Sequence, residues 1–210
     1  MNLERLQRAE EAFLHRFPGA FENPEIIATR VKKHKPDQMI ALARESFSRV
    51  NFRHHELIVR NMIKVISRSS ILSVFEKPKF RDFADALSPQ EKGFLSGGME
   101  QLLHGNEQTG FEMILDLLQN GKLAKWSLMT VCQTYYHPQR DVFVKPTTVK
   151  GVIEYFELEN LQYRPTPSWA FYEAYRSAFH AMKSKVDRSL SPTNAAFSGF
   201  LWMTVRGEVF

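Results

Sequence analysis

Helix caps and first-turn prolines punctuate this chain from end to end, and they constrain its fold more than any other feature. Asn23-Pro24 and Ser88-Pro89 each combine an N-cap residue with a proline suited to the first helical turn. After such caps, apolar residues recur at the spacing of one helix face. The only extended run is Val142–Val144. We therefore predict an all-α fold, with one compact multi-helix domain of about ten short helices spanning all 210 residues.

Length and cysteine usage limit the class of protein. A chain of 210 residues can bury a stable core without a disulfide or a metal. The single Cys132 excludes an intramolecular disulfide and fits a reducing compartment, and we expect it to fill the core rather than act as a nucleophile. No apolar run approaches the roughly 20 residues of a membrane span, and the first residues lack the apolar region of a signal peptide. We expect a cytoplasmic protein without a membrane partner.

Positive charge is concentrated in the first third of the chain. The net charge is +5, and residues 1–70 contain 13 Lys and Arg against 8 Asp and Glu, whereas the remaining residues contain 15 of each. We divide the domain into a basic N-terminal helical part, about residues 1–75, and a C-terminal helical part, about residues 76–210. A basic region of this kind is typical of proteins that bind nucleic acid, DNA more than RNA, or an acidic protein surface.

A row of cations lies on one predicted helix of the basic part. At about 100° per residue, four side chains of the segment 53–68 fall within one arc of about 80°: Arg53, Arg60, Lys64 and Arg68. Like charges at i,i+4 repel, so pairing within the helix does not explain the row. Such a row would follow a phosphate backbone, and a solvated helix face is the alternative.

A second cationic region surrounds a predicted helix start at Pro146. We expect Thr147 or Thr148 to cap the first amides of this helix, whose positive dipole end favours an anion. The candidate phosphate-binding residues of this region are Arg140, Lys145, Thr147, Thr148 and Lys150. The alternative is that the threonines only cap the helix and the cations only solvate a loop.

No motif in the chain assigns a catalytic residue, a cofactor or a metal. The candidate general bases Asp141, Glu154 and His137 have no partner at a recognisable spacing. His54 and His55 are adjacent, and adjacent helical residues point about 100° apart, so they cannot chelate a metal together. We expect neither a cofactor nor a metal site.

The last helix is predicted to be part of the core. Its apolar residues are too dense for a free tail: Phe197, Phe200, Leu201 and Trp202. We expect this helix to dock into the core, and Trp202→Ala to cost on the order of 3–5 kcal/mol if the ring is buried.

Part of the chain resembles a known signature. The matching residues are Lys125, Trp126 and Thr130, the run from His137 to Thr148, and the segment from Tyr163 to Trp169. Together they look like the C-terminal signature of an uncharacterised bacterial family of helical proteins, covering roughly residues 125–205. This resemblance implies no activity.

The extended run before Pro146 also faintly resembles the end of the helix-hairpin-helix DNA glycosylases. In that family an extended segment leads to a catalytic aspartate at the start of a helix. Here Lys145 and Pro146 occupy that place, and no Leu-Pro-Gly-x-Gly hairpin precedes them. The resemblance therefore implies a shared way of holding a DNA backbone rather than glycosylase catalysis.

These observations leave three hypotheses. The first is a helical protein that binds nucleic acid by its phosphate backbone, without reading bases. The second is a module that binds an acidic protein partner. The third is an enzyme acting on DNA or another phosphorylated substrate.

Overall fold

The computed structural model describes residues 1–31 and 34–209 and confirms the all-α prediction. The described chain is 71% helical, has no strands and contains 11 α-helices, of which 10 have at least seven residues. These helices are α1 (Leu3–Arg16), α2 (Pro24–Ile26), α3 (Pro36–Ser46), α4 (His55–Arg68), α5 (Glu76–Ala86), α6 (Pro89–His104), α7 (Glu107–Asn120), α8 (Trp126–Tyr136), α9 (Pro146–Tyr155), α10 (Trp169–Lys183) and α11 (Asn194–Val205). Short 3-10 turns at Ala20–Glu22, Arg49–Arg53 and Arg188–Leu190, and a π-helical turn at Ile27–Val31, complete the helical structure.

Side-chain caps start several of these helices where the sequence predicts them. The Asn23 side chain accepts a hydrogen bond from the Glu25 amide. At the start of α6, Ser88 and Glu91 form a reciprocal capping box, which satisfies two backbone donors at once. No helix of the described chain is long and apolar enough to cross a membrane.

The chain forms two compact units. Unit 1 contains residues 1–33, 138–165 and 170–210, and unit 2 contains residues 34–137 and 166–169. Unit 2 is therefore almost continuous in sequence, whereas unit 1 is assembled from three separate segments. The division expected near residue 75 lies inside unit 2.

Helix α4 is central to unit 2, where it packs against α3, α5, α6 and α8. Its buried face is formed by Ile58, Val59, Met62, Val65 and Ile66. Burial of this apolar stripe is the main stabilisation of such a helix, since each buried branched side chain contributes about 1.5–3 kcal/mol.

Glycines let α6 and α7 approach each other closely. A Cβ at Gly110 would collide with the backbone of Leu102 and would lie 2.6 Å from the Gly98 carbonyl oxygen. A Cβ at Gly98 would lie 3.0–3.1 Å from the side chains of Ile114 and Met113. The glycines of α6 therefore mark a close helix crossing, and α6 continues through them without a break.

Helix α8 is buried over ten consecutive residues, from Trp126 to Tyr135. Its Thr130 and Thr134 hydroxyls donate to carbonyl oxygens one turn earlier in the same helix, at 2.8 and 2.7 Å. Gln133 is fully buried, and neither atom of its amide group has a hydrogen-bond partner among the described residues. A helix that is buried on every side is typical of the middle of a helical core.

The core of unit 1 is rich in aromatic rings. Phe13 of α1 contacts Phe200 of α11 with ring centroids 5.3 Å apart, and Phe197 contacts Phe179 of α10 at 4.9 Å. The last helix is thus part of the core, as predicted, with Phe197, Phe200 and Leu201 buried.

Trp202 does not meet the condition of burial, since it is half-buried. Its ring is only partly covered, and the Arg206 guanidinium lies over it, 5.2 Å from the ring centroid. Trp202 lies on the partly exposed side of α11, so an apolar sequence alone did not define which side chain faces the core.

Candidate functional site

The cation row of α4 consists of three side chains on one exposed face. Arg60, Lys64 and Arg68 follow each other at i,i+4 and all three are exposed. Successive members lie about 6 Å apart along the helix, since each step is four residues of about 1.5 Å. None of the three takes part in an ion pair in the part of the chain that the structure describes. We call these three residues the α4 row.

Arg53 is not part of this helix. It is the last residue of the 3-10 turn Arg49–Arg53, and α4 begins at His55. Arg53 is exposed and lies in the chain before the first member of the row, Arg60. The structure therefore places three of the four expected cations in a helical row and the fourth in the preceding turn.

Acidic and amide groups near the row are already occupied. Glu56, in the first turn of α4, lies 3.7 Å from the Lys92 ammonium group of α6. The Asn61 amide donates to the Ser46 carbonyl oxygen at the end of α3, at 2.8 Å. The α4 row is thus left as a purely cationic surface.

The start of α9 differs from its predicted capping. Its N-cap is Lys145, an extended residue whose side chain makes no capping bond, and Pro146 is the first helical residue. Proline favours an extended residue before it, so the helix begins there and the two threonines fall inside its first turn. Thr147 and Thr148 therefore do not cap α9, and the expectation that either does is wrong.

The other residues of this second region differ in their exposure and in their contacts. Lys145 and Thr147 are exposed. The Thr148 hydroxyl oxygen is buried and has no hydrogen-bond partner among the described residues. Lys150 is exposed, and its ammonium group lies 5.1 Å from the centroid of the Tyr163 ring.

Arg140 is engaged in an ion pair that the sequence did not indicate. Its guanidinium donates to the Asp141 carboxylate at 2.9 Å, and Asp141 is fully buried. Arg176 of α10 donates to the other carboxylate oxygen at 3.0 Å. The Tyr172 hydroxyl donates to that same oxygen at 3.1 Å and accepts from the Val142 amide at 3.2 Å.

The hydrogen bonds continue from Asp141 into the last two helices of unit 1. The Asn194 amide donates to the Asp141 carbonyl oxygen at 3.1 Å. Lys183 donates to the side-chain oxygens of Asn194 at 2.9 Å and Gln139 at 3.0 Å. His180 donates to the Arg140 carbonyl oxygen at 2.8 Å. This network, centred on Asp141, fixes the segment 139–144 against α10 and α11.

Burial defines the chemistry of this network. Burial, together with the neighbouring Asp141 charge, raises the pKa of Tyr172 well above its ordinary value, so this hydroxyl stays protonated. Burial lowers the pKa of the Lys183 ammonium group. Two guanidinium groups compensate the one buried carboxylate, which is what a buried charge requires. Asp141 therefore serves as a structural anion, because its carboxylate is enclosed and fully bonded.

The other two candidate bases are placed differently. The His137 ring donates to the Leu103 carbonyl oxygen at 3.0 Å, which uses one of its two nitrogens for structure. Glu154 is exposed on α9. Burial raises the pKa of the Cys132 thiol to about 12, as expected for a core cysteine. Among the described residues, no group of three His, Cys, Asp or Glu side chains could hold a metal ion.

Unit 2 also has an open groove of about 290 Å³ between α5, α6 and α7. Its lining residues are Phe83, Ala86, Leu87, Glu91, Leu117, Asn120 and Gly121. Glu91 is the only ionisable group among them, and its hydrogen bonds to Ser88 lower its pKa. The groove offers no acid–base pair.

Comparison with known proteins adds no constraint on this site. No protein-family model, curated protein or solved structure matches the chain. The two resemblances in residues 125–205 therefore remain predictions, and the observations that bear on function come from the surface of the molecule itself.

Proposed function

We propose that the protein binds nucleic acid through phosphate contacts made by the α4 row, without reading the base sequence. The observation on which this proposal rests is the row itself: three exposed cations at i,i+4 spacing and without ion-pair partners among the described residues. A linear polyanion with regularly spaced charges is the ligand that such a row fits best.

The row destabilises the free protein. Each like-charged i,i+4 pair destabilises a helix by about 0.2–0.5 kcal/mol, and the row contains two such pairs. The buried face of α4 does not require these cations, since they lie on the opposite side of the helix from Met62 and Ile66. A bound polyanion would offset this repulsion by its own attraction to the three cations.

Weak sequence preference follows from the groups that are missing from the row. Base edges in a groove are read by a mixture of amide side chains and bidentate arginines, and the row has no Asn or Gln beside its two arginines. Asn61, the amide side chain of α4, is half-buried and already donates to the Ser46 carbonyl oxygen, so it is not one of the exposed groups of the row. The contacts available are ionic, and ionic contacts to phosphates position a protein without selecting a sequence.

The start of α9 is a second, separate candidate for a phosphate contact. Lys145 is exposed beside the first turn of this helix, whose amides have no side-chain cap. Free amides and the helix dipole both favour an anion at such a position. Arg140 contributes less than the sequence suggests, because Asp141 already binds it.

Fluorescence anisotropy with labelled nucleic acid tests this proposal. The variant Arg60→Glu together with Lys64→Glu removes two cations from the row without touching its buried face. If both contact phosphates, affinity for a duplex should fall on the order of a hundredfold at about 50 mM salt, and the log–log salt slope should decrease by about 2.

The matched control reverses two exposed cations of unit 1, Arg8→Glu together with Lys185→Glu, and changes the net charge by the same amount. It should reduce affinity far less than the row variant does. Lys145→Glu tests the α9 region by the same measurement. If the wild-type protein binds neither duplex nor single strand at micromolar concentration, or if both double variants act equally, the proposal is wrong. The acidic protein partner is then the better hypothesis.

A further inference from the structure

Two consecutive apolar side chains lie exposed on the turn that follows the α4 row. Val74 is 70% exposed and Phe75 is 76% exposed, the highest values among the large apolar side chains of the described chain. Phe75 occupies the N-cap position of α5 and makes no ring contact with another described residue. Phe75 follows Arg68, the last cation of the row, by seven residues, and an exposed aromatic ring together with cations fits a ligand that is both anionic and flat-faced.

The turn that presents Phe75 is held by hydrogen bonds. The Ser73 hydroxyl accepts from the Phe75 amide at 3.3 Å, and the Ser73 amide donates to the Glu76 carboxylate at 3.3 Å. The other Glu76 oxygen accepts from the Ser127 hydroxyl of α8 at 2.7 Å. Phe75 is therefore displayed from a fixed position, which reduces the entropy lost when a ligand stacks on it.

Two anchors on α8 hold the segment between the row and this turn. Ser69, which directly follows Arg68, is bonded to the Tyr135 hydroxyl at 3.1 Å. Glu76 is bonded to Ser127, which lies earlier in the same helix by about eight residues, or about 12 Å of helix. The two anchors are thus about 12 Å apart along α8, and the segment from Ser69 to Glu76, which includes Phe75, joins them.

The segment that contains the row and this turn is strongly positive. Residues 53–79 contain six Lys or Arg and two Glu. Both carboxylates are occupied, Glu56 by Lys92 and Glu76 by Ser127 and Ser73. Lys77 and Lys79 follow Phe75 closely in the chain. The aromatic ring therefore lies between two groups of cations along the chain.

We propose that the α4 row and the turn with Phe75 together bind single-stranded nucleic acid in preference to a duplex. A base stacks on Phe75 while the α4 row contacts phosphates. This inference rests on the proposed function of the row. Sequence-tolerant single-strand sites combine a cationic track with an aromatic platform, because every base has a flat face. A duplex keeps its bases paired inside, so it can use the row but not the ring.

An anionic membrane would meet the same cations and apolar turn, and it is the alternative that the experiment separates. The regular i,i+4 spacing of the row favours a repeating polyanion, since a lipid surface places no demand on regular spacing. One aromatic side chain and one valine are also a small apolar area for membrane insertion.

The test measures anisotropy with a labelled oligothymidine and a duplex of the same length, on wild-type protein and Phe75→Leu. Leucine keeps an apolar side chain and removes the aromatic face. Loss of one stacked base should weaken binding to oligothymidine by about 5- to 150-fold, and the duplex affinity should stay unchanged. Phe75→Trp should retain tight binding, and its added fluorescence, compared with wild type, should be quenched by oligothymidine.

The outcomes distinguish this inference from the proposal beneath it. If the double row variant loses both ligands while Phe75→Leu binds oligothymidine as the wild type does, the row binds nucleic acid and the stacking inference is wrong. If the wild type binds neither ligand, both proposals fail. If it binds vesicles of phosphatidylserine and phosphatidylcholine, and Phe75→Leu abolishes that binding while oligothymidine does not compete, the surface is a membrane site instead.

Discussion

Replacing Lys64 by glutamate should raise the stability of the protein and weaken its proposed binding to nucleic acid. Lys64 is exposed, with Arg60 one turn before it and Arg68 one turn after it. A glutamate at this position would convert two repulsive i,i+4 pairs into two attractive ones. The buried face of α4 is unaffected, so no packing loss opposes the gain.

The size of the gain can be worked from the two pairs. Each repulsion costs about 0.2–0.5 kcal/mol and each opposite-charge pair contributes about the same, which gives about 1–2 kcal/mol for the whole change. A carboxylate is most effective when the cation follows it by one turn. The new carboxylate would have this favourable order with Arg68 and the less favourable order with Arg60, so the lower end is expected. In a chain of this length, about 1 kcal/mol corresponds to an increase in Tm of about 2–4 °C.

Thermal unfolding followed by circular dichroism measures this change, with Lys64→Gln as the matched control. Glutamine removes the repulsion without adding attraction and should give about half of the increase in Tm. Because the charges are exposed, the increase should shrink at about 1 M salt, where the screening length is about 3 Å. A Tm for Lys64→Glu at or below that of Lys64→Gln would show that the cations do not interact along α4.

Three further measurements test the packing. Gly110→Ala should destabilise the protein by at least about 1–3 kcal/mol, because its Cβ would collide with the α6 backbone. Gly97→Ala is the control, since its Cβ would meet only a flexible Met side chain at 3.7 Å. It should be neutral or stabilise the protein by up to about 1 kcal/mol. Phe200→Ala should cost about 3–5 kcal/mol of unfolding free energy, and Trp202→Ala clearly less, since only the Phe ring is fully buried; equal losses would contradict this assignment. The Cys132 thiol, with its pKa raised to about 12, should not react with a thiol reagent at neutral pH until the protein is unfolded, and reaction in native buffer would mean that α8 opens.

The fold class was predictable because its signals are local. A cap such as Ser88, its reciprocal partner Glu91 and the proline between them act within one turn, so the sequence contains the whole interaction. The same reasoning failed at α9, where Thr147 and Thr148 compete with Pro146 for the helix start. There the conformational restriction on Lys145 imposed by the proline decided the boundary.

The Asp141 network could not be predicted, because its partners are distant in sequence. Tyr172, Arg176 and Asn194 lie 31, 35 and 53 residues from Asp141. The one local signal was a carboxylate next to the apolar run Val142–Val144, since a charge that is pulled into the core with such a run requires a buried counter-charge. That signal would also have indicated that Arg140 was already engaged.

The exposure of the Phe75 ring could not be predicted from the sequence either. Phe75 and Phe80 belong to the same stretch of sequence, yet the first is 76% exposed and the second is 1% exposed. Only the direction in which α5 packs onto α4 separates them. The cation row could be predicted from the sequence, because residues four apart on one helix share a face whatever the tertiary structure is.

The discontinuity of unit 1 has a consequence for how the chain folds as it is synthesised. Translation proceeds from the N-terminal end, so the whole of residues 34–137 emerges from the ribosome before α10 and α11 exist. Phe13 of α1 cannot contact the Phe200 ring until almost the whole chain has been synthesised. At about 5–20 residues per second, that delay is on the order of 10–40 s. During this time the apolar face of α1 is without its final partner and is a natural substrate for a chaperone that binds nascent chains, whereas unit 2 can complete its own core early.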